Sequence, residues 1–132
     1  MNLELLAKDL GKITQGRILI NEPLKNHTTL RVGGPADLLV LPAASGEIPE
    51  LLEFARQKDL PVTLLGNGSN VLVLDGGIPG LVIKLGGSLT KVEVQGEKVV
   101  AEAGVLMPRL AKIALEHGLQ GLEFMIGIPG TV

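Results

Sequence analysis

At 132 residues with a net charge of −2 and no cysteine, the chain has the length of one domain with a hydrophobic core, and disulfides, thiolate zinc sites and a thiol nucleophile are excluded. Its twelve Lys and Arg are scattered among fourteen Asp and Glu, and its only aromatics are Phe54 and Phe124, so neither electrostatic capture of a nucleic-acid backbone nor stacking on bases is expected. Eighteen glycines and eight prolines alongside 45% hydrophobic residues and a mean hydropathy of +0.38 describe a folded, turn-rich chain with an aliphatic core.

The first element is an amphipathic helix: Leu3, Leu6, Leu10 and Ile13 share a face while Glu4, Lys8, Asp9 and Lys12 interrupt any apolar run. It has the features of a docking helix and not those of a signal peptide or a membrane span, which places the protein in the cytoplasm. After a turn at Gly16, the runs HTTLRVGG and ADLLVLP read as two strands joined by a tight turn at Gly33, Gly34 and Pro35. Ser45 is in position to cap a helix carrying Ile48, Leu51, Leu52 and Ala55, which ends before Pro61. Val62 to Leu65 reads as a short buried strand, running into Gly66-Asn67-Gly68-Ser69-Asn70. The apolar run Val71 to Leu74, a turn at Asp75-Gly76-Gly77 and a strand Leu81 to Leu85 follow.

From Lys91 the texture changes, because KVEVQGEKVVAEAGV alternates apolar and polar residues around a turn near Gly96 and Glu97. That is a hairpin with one solvated face. Pro108 opens a helix whose Leu110, Ile113, Ala114 and His117 share a face and whose end is capped by Gly118. The last stretch, GLQGLEFMIGIPGTV, reads as a glycine-punctuated loop. The order of elements predicts an α+β arrangement of two lobes, residues 1–88 with the N-terminal helix and residues 89–132.

The segment most suggestive of chemistry is the strand VTLL followed by GNGSN. Glycines permit positive φ and close approach, so consecutive N–H groups can converge on phosphate oxygens, with Ser69 and Asn70 adding side-chain donors. Loop and flanks carry no Lys or Arg before Lys84, which predicts a phosphate held by neutral donors. The phosphate-loop pattern GxxxxGK[ST] is absent, and the dinucleotide fingerprint fails because Val71 occupies its third glycine position and VLVL favours a strand over a helix. A plain turn is the competing reading of GNGSN. Gly68 is expected to be the close-approach position, where a β-branched side chain would fill the phosphate's space and leave most of the fold intact.

Arg31, two residues before paired glycines, reads as a brace that pairs with a carboxylate, with a phosphate anchor as the alternative. In GIPGTV, Ile128 and Pro129 offer an apolar wall, Gly127 and Gly130 allow close approach and Thr131 offers a hydroxyl; a simple terminal loop is the competing reading. His27 and His117 read as structural. Glu123 is placed to accept hydrogen bonds from loop N–H groups.

PLKNHTTLRVGGPADLLVLP, LPVTLLGNGSNVLVLDGGIPGLVIKL and GLEFMIGIPGTV together resemble the UDP-N-acetylenolpyruvoylglucosamine reductases, in order and spacing, over nearly the whole chain from Asn21. The resemblance implies a vanillyl-alcohol-oxidase-type (PCMH-type) FAD-binding domain of two small α+β lobes, the second truncated at Val132, with the substrate-binding domain absent. It implies non-covalent FAD, with Gly66, Asn67, Gly68, Ser69 and Asn70 at the pyrophosphate, Val71 beside them, and Gly127, Ile128, Pro129, Gly130 and Thr131 near the ring system. The implied activity is that of a UDP-N-acetylmuramate dehydrogenase of peptidoglycan synthesis, with NADPH as reductant and UDP-N-acetylglucosamine enolpyruvate as substrate. The serine, arginine and glutamate that carry its chemistry lie beyond the segment matching this chain, so no catalytic residue is expected here. An isolated chain ending at Val132 is expected to hold FAD weakly and to self-associate through a cut sheet edge. A vanillyl-alcohol-type oxidase fragment and a non-catalytic flavin- or nucleotide-binding module are the alternatives.

Overall fold

The computed structural model describes residues 2–132. The first helix, α1 (Leu3–Leu10), is capped by Asn2, whose side chain accepts the Leu5 N–H at 3.1 Å. Strand β1 (Arg17–Pro23) follows, then β2 (Pro35–Leu41), helix α2 (Ile48–Gln57), β3 (Val62–Leu65) and β4 (Ile78–Lys84). These strands form one sheet in the order β1-β2-β4-β3, with β1 antiparallel to β2 and the other pairs parallel. A hairpin of β5 (Val92–Gln95) and β6 (Lys98–Ala101) and helix α3 (Met107–Glu116) complete the α+β chain. No helix of the described residues is long and apolar enough to cross a membrane.

Both faces of the main sheet are buried. One packs Leu38, Val40, Leu81 and Ile83 against Leu6 and Leu10 of α1 and Leu51, Phe54 and Ala55 of α2. The other packs Ala36, Leu39, Leu65 and Val82 beneath Leu24, which opens a 3-10 turn (Leu24–Asn26), and Val73, which arrives on irregular chain. A register shift between Ala36 and Leu38 places these two on opposite faces, and because both faces are buried LLVL reads as a continuous apolar run instead of an alternation. At that bulge the Asp37 carboxylate accepts the Gly80 N–H at 2.8 Å. The core is thereby aliphatic apart from Phe54.

Four local expectations change. The run HTTLRVGG is not a strand: it is a loop turning at Arg31 (φ +54), while Arg17–Pro23 supplies the strand instead. Val71 to Leu74 has no ladder either: the run lies over the second face of the sheet, where Val73 is buried. Strand β3 is the edge of the sheet, with Val62 and Leu64 exposed and only Leu65 buried. Ser45 makes no cap; it opens a 3-10 turn (Ser45–Glu47) ahead of α2. There the Glu47 carboxylate is the organiser, accepting from the Thr14 hydroxyl and from the N–H groups of Gln15 (3.1 Å) and Ala43 (2.9 Å).

The hairpin and α3 follow expectation. Gly96 has φ +62 and pairs with Glu97 in the two-residue turn. At the end of α3, Gly118 (φ +68) donates to Leu115 O and Leu119 donates to Ala114 O, the paired bonds of a Schellman cap. The terminal segment is more ordered than a loop, with a 3-10 helix at Glu123–Gly127 and a bridge between Leu106 and Thr131.

Candidate cofactor site

Because β2, β3 and β4 run in parallel, their C-terminal ends share one edge, where α/β sheets place their ligands. The GNGSN loop leaves β3 at that edge. Beside it Gly86, just past the end of β4, has its Cα so near the loop that a Cβ there would lie 2.6 Å from Gly66 O and 2.7 Å from Asn67 N. Among the described residues, the N–H groups of Asn67, Gly68, Ser69 and Asn70 donate to no acceptor in the chain. Asn67 and Asn70 are exposed and Ser69 is half-buried. A row of free donors beside a glycine-lined contact is a cradle suited to phosphate oxygens.

Gly68 plays a different part from the one expected. Its φ is +70, and a Cβ there would run into the carbonyl of His27 and reach 3.0 Å from Thr28 Cα. Gly68 is buried, and its carbonyl accepts the Thr29 N–H at 3.0 Å. Its missing side chain makes room for protein backbone, not for phosphate, so a bulky residue there would damage the local fold.

The GIPGTV segment comes to the same place. Thr131 Oγ1 faces Gly66, where a Cβ would approach it to 2.6 Å. The segment is fixed by Met107 N donating to Gly130 O (3.0 Å) and Val132 N donating to Val105 O (2.9 Å). Gly127, Ile128 and Pro129 stay exposed, leaving an apolar wall open to solvent. Just upstream, the Glu123 carboxylate accepts the Gly121 N–H at 2.9 Å, the role its position suggested.

The expectation of neutral donors alone does not hold around the loop. A polar cavity of about 600 Å³ is lined by Asn67, His27, Thr29, Arg31 and Lys84, so the loop's surroundings are basic although its flanks in sequence are neutral. Arg31 forms no ion pair among the described residues and lines this cavity instead of bracing a carboxylate. His27 Nε2 lies 2.9 Å from Glu22 Oε1 and its Nδ1 lies 3.2 Å from Lys84 Nζ. With Glu22 ionised, both contacts are satisfied when Nε2 carries the proton and Nδ1 accepts from the ammonium. Burial raises the Glu22 pKa, but hydrogen bonds from His27 and Asn26 outweigh it and hold the carboxyl below its ordinary value. Partial burial lowers that of Lys84. His117 is apart from all this, its Nδ1 2.9 Å from Ile113 O at the end of α3.

The sequence profile of the family described as "FAD binding domain" matches residues 36–132. The chain belongs to the FAD-binding domain family. Across this FAD-binding domain and the residues before it, the chain is 50% identical over 132 residues to the UDP-N-acetylenolpyruvoylglucosamine reductase of Moorella thermoacetica, covering 100% of this chain and 43% of that protein. It is 47% identical over 127 residues to the same enzyme of Desulforamulus reducens, covering 96% of the chain and 42% of the relative. The chain therefore spans about two fifths of the curated relatives it matches. The crystal structure of the Thermus caldophilus reductase superposes with a TM-score of 0.65 at 39% identity, covering 89% of this chain and 40% of that one. An alkyldihydroxyacetonephosphate synthase superposes with a TM-score of 0.67 at 20% identity over 89% of the chain and 26% of its own, a likeness of fold alone. The cofactor of the domain is FAD, and the free donors and basic cavity fit its diphosphate.

Proposed function

We propose that this chain is the FAD-binding part of a UDP-N-acetylmuramate dehydrogenase, an enzyme of peptidoglycan synthesis in the cytoplasm that uses NADPH to reduce the enolpyruvyl group of UDP-N-acetylglucosamine enolpyruvate. The observation that carries the reading is the meeting of Gly66–Asn70 with Gly127–Thr131 at the C-terminal edge of the parallel strands, supported by the match to the named reductases along the chain. When bound, FAD supplies the two-electron relay between NADPH and the enolpyruvyl double bond.

The residues present bind and orient. Asn67 to Asn70 offer N–H groups to the diphosphate, with Val71 carrying the loop back over the sheet. Ile128 and Pro129 offer an apolar surface to the ring system, and Thr131 a hydroxyl. We assign residues 1–88 and 89–132 to the two lobes that hold the cofactor between them. No residue here is given the proton-transfer role, and the catalytic groups are assigned to the part of the enzyme that the match to this chain does not cover.

The test is to express the protein from its complete reading frame and follow its flavin absorbance. The expected result is stoichiometric FAD, released by acid precipitation, reduced by NADPH and reoxidised by the enolpyruvyl sugar nucleotide. A flavin that stays on the precipitated protein would point to a covalent oxidase, and a protein that takes up no FAD would overturn the reading.

A further inference from the structure

We propose that Lys84 is the charge by which this site selects a diphosphate-bearing ligand, and that Glu22 and His27 form a relay that positions its ammonium beside the Asn67–Asn70 loop. The proposal rests on the FAD reading of the site. Alternation along β4 sets Val82 and Lys84 on the same face of the sheet, the face covered by Leu24 and the loop that follows it. The strand ends at Lys84, at the level where Leu65 hands over to the GNGSN loop. Lys84 and Asn67 line one cavity.

Two features set Lys84 apart from a surface lysine. It is half-buried, and among the described residues no carboxylate lies within ion-pairing distance of it. Its polar partner is the neutral Nδ1 of His27, which accepts one of its three protons. A partly buried ammonium with donors to spare, facing a polar cavity, gains charge-assisted hydrogen bonds from an anion placed there. The relay behind it is asymmetric: Glu22 is fixed by Asn26 (3.2 Å) and His27 (2.9 Å), and the imidazole, only 12% exposed, turns that fixed point into an aimed acceptor. The negative charge of Glu22 thus steadies Lys84 through a ring without neutralising it at contact. Arg31 on the same cavity adds to the positive potential.

The experiment measures FAD and riboflavin affinities, and the salt dependence of the former, for the protein expressed from its complete reading frame and for Lys84→Met, Lys84→Arg, His27→Phe and the Lys84→Met/His27→Phe double variant. Riboflavin carries the ring system without the diphosphate. Lys84→Met is expected to weaken FAD by about tenfold to a hundredfold and to flatten its salt dependence, while Lys84→Arg stays near wild type. His27→Phe is expected to weaken FAD by about two- to tenfold, and the double variant to be no worse than Lys84→Met alone, the mark of a residue acting through another. Riboflavin affinity should change little throughout, and the Lys84→Met and Lys84→Arg melts should stay near wild type. Unchanged FAD affinity in Lys84→Met, or an equal loss of riboflavin, overturns the role of Lys84; full additivity of the two substitutions overturns the relay. A wild-type protein that binds neither flavin overturns the FAD reading itself.

Discussion

The hydroxyl of Thr131 stands over Gly66, residues separated by half the chain, so closely that a methyl group at Gly66 would come within 2.6 Å of Oγ1. Since Thr131 Cβ would be 3.9 Å from that methyl, rotation of one side chain relieves the contact. Gly66→Ala should therefore keep its melting behaviour within about 1 kcal/mol of wild type while turning the hydroxyl away, at a cost to FAD affinity of about 0.5 to 1.5 kcal/mol. Adding Thr131→Ala should cost nothing further. Flavin titrations of the single and double variants measure this, and an additive second loss would separate Thr131 from Gly66.

Gly68 and Gly87 make a matched pair, both at positive φ (+70 and +85), but a Cβ at Gly68 meets the His27 backbone whereas one at Gly87 meets open space. Alanine at Gly87 should cost only the backbone strain, roughly 1 to 2 kcal/mol. Alanine at Gly68 should add an overpacking cost of about 1 to 3 kcal/mol, since backbone cannot rotate aside. Urea denaturation of the two variants shows the gap; equal losses would contradict the packing described.

Gly86→Ala tests the cradle from beneath. A Cβ wedged between Gly66 O and Asn67 N must displace the loop backbone, so FAD retention should fall sharply while the buried Leu81 and Ile83 stay packed. The expected reading is a weakened flavin complex with a melt lowered by no more than about 1 to 3 kcal/mol.

Glu47 makes stability depend on acid. Burial raises its pKa, but the Thr14 hydroxyl and the backbone N–H groups of Gln15, Ala43 and Ala44 together hold it below the ordinary 4.5. Because the folded pKa is the lower one, its contribution is present above the ordinary glutamate value and disappears as pH falls through the folded value. Glu47→Gln should cost about 1 to 3 kcal/mol at neutral pH. The difference from wild type should shrink in melts taken below pH 4.5, and a gap that persists there would reject the carboxylate as its source.

Much of the architecture was legible in the sequence where a pattern is local. The alternation in KVEVQGEKVV, the spacing of Leu110, Ile113 and Ala114, and the glycine after α3 each encode their element within a few residues. HTTLRVGG misled because Thr, Leu and Val favour strands, yet the Thr28 hydroxyl bonds Val32 O (3.2 Å) and the Arg31 N–H bonds Thr28 O (3.2 Å), closing a turn in place of a ladder. VLVL misled because strand propensity says nothing of whether an apolar run pairs alongside a sheet or packs over its face, as Val73 does. The glycine loops could be proposed as a site from the sequence since their donors are contiguous. His27, Lys84 and Gly86 could not, because only the parallel pairing of β3 with β4 and the return of the loop after β1 bring them to Asn67.

The segment from Gly66 to Gly77 is the proposed ligand cradle at one end and core wall at the other. It sinks Val73 into the second face of the sheet, and Leu74 O receives both Gly34 N (3.0 Å) and Gly77 N (2.9 Å). Loops that bind ligands commonly belong to the least protected parts of a protein, opening on their own at little cost. This one cannot swing out without uncovering Leu39 and Val82, so its opening is tied to the cooperative unit of the sheet itself. Amide hydrogens at Gly34 and Gly77 should consequently exchange as slowly as their strand neighbours before any flavin is added, and the cradle awaits its ligand already rigid, with little ordering entropy left to lose on binding.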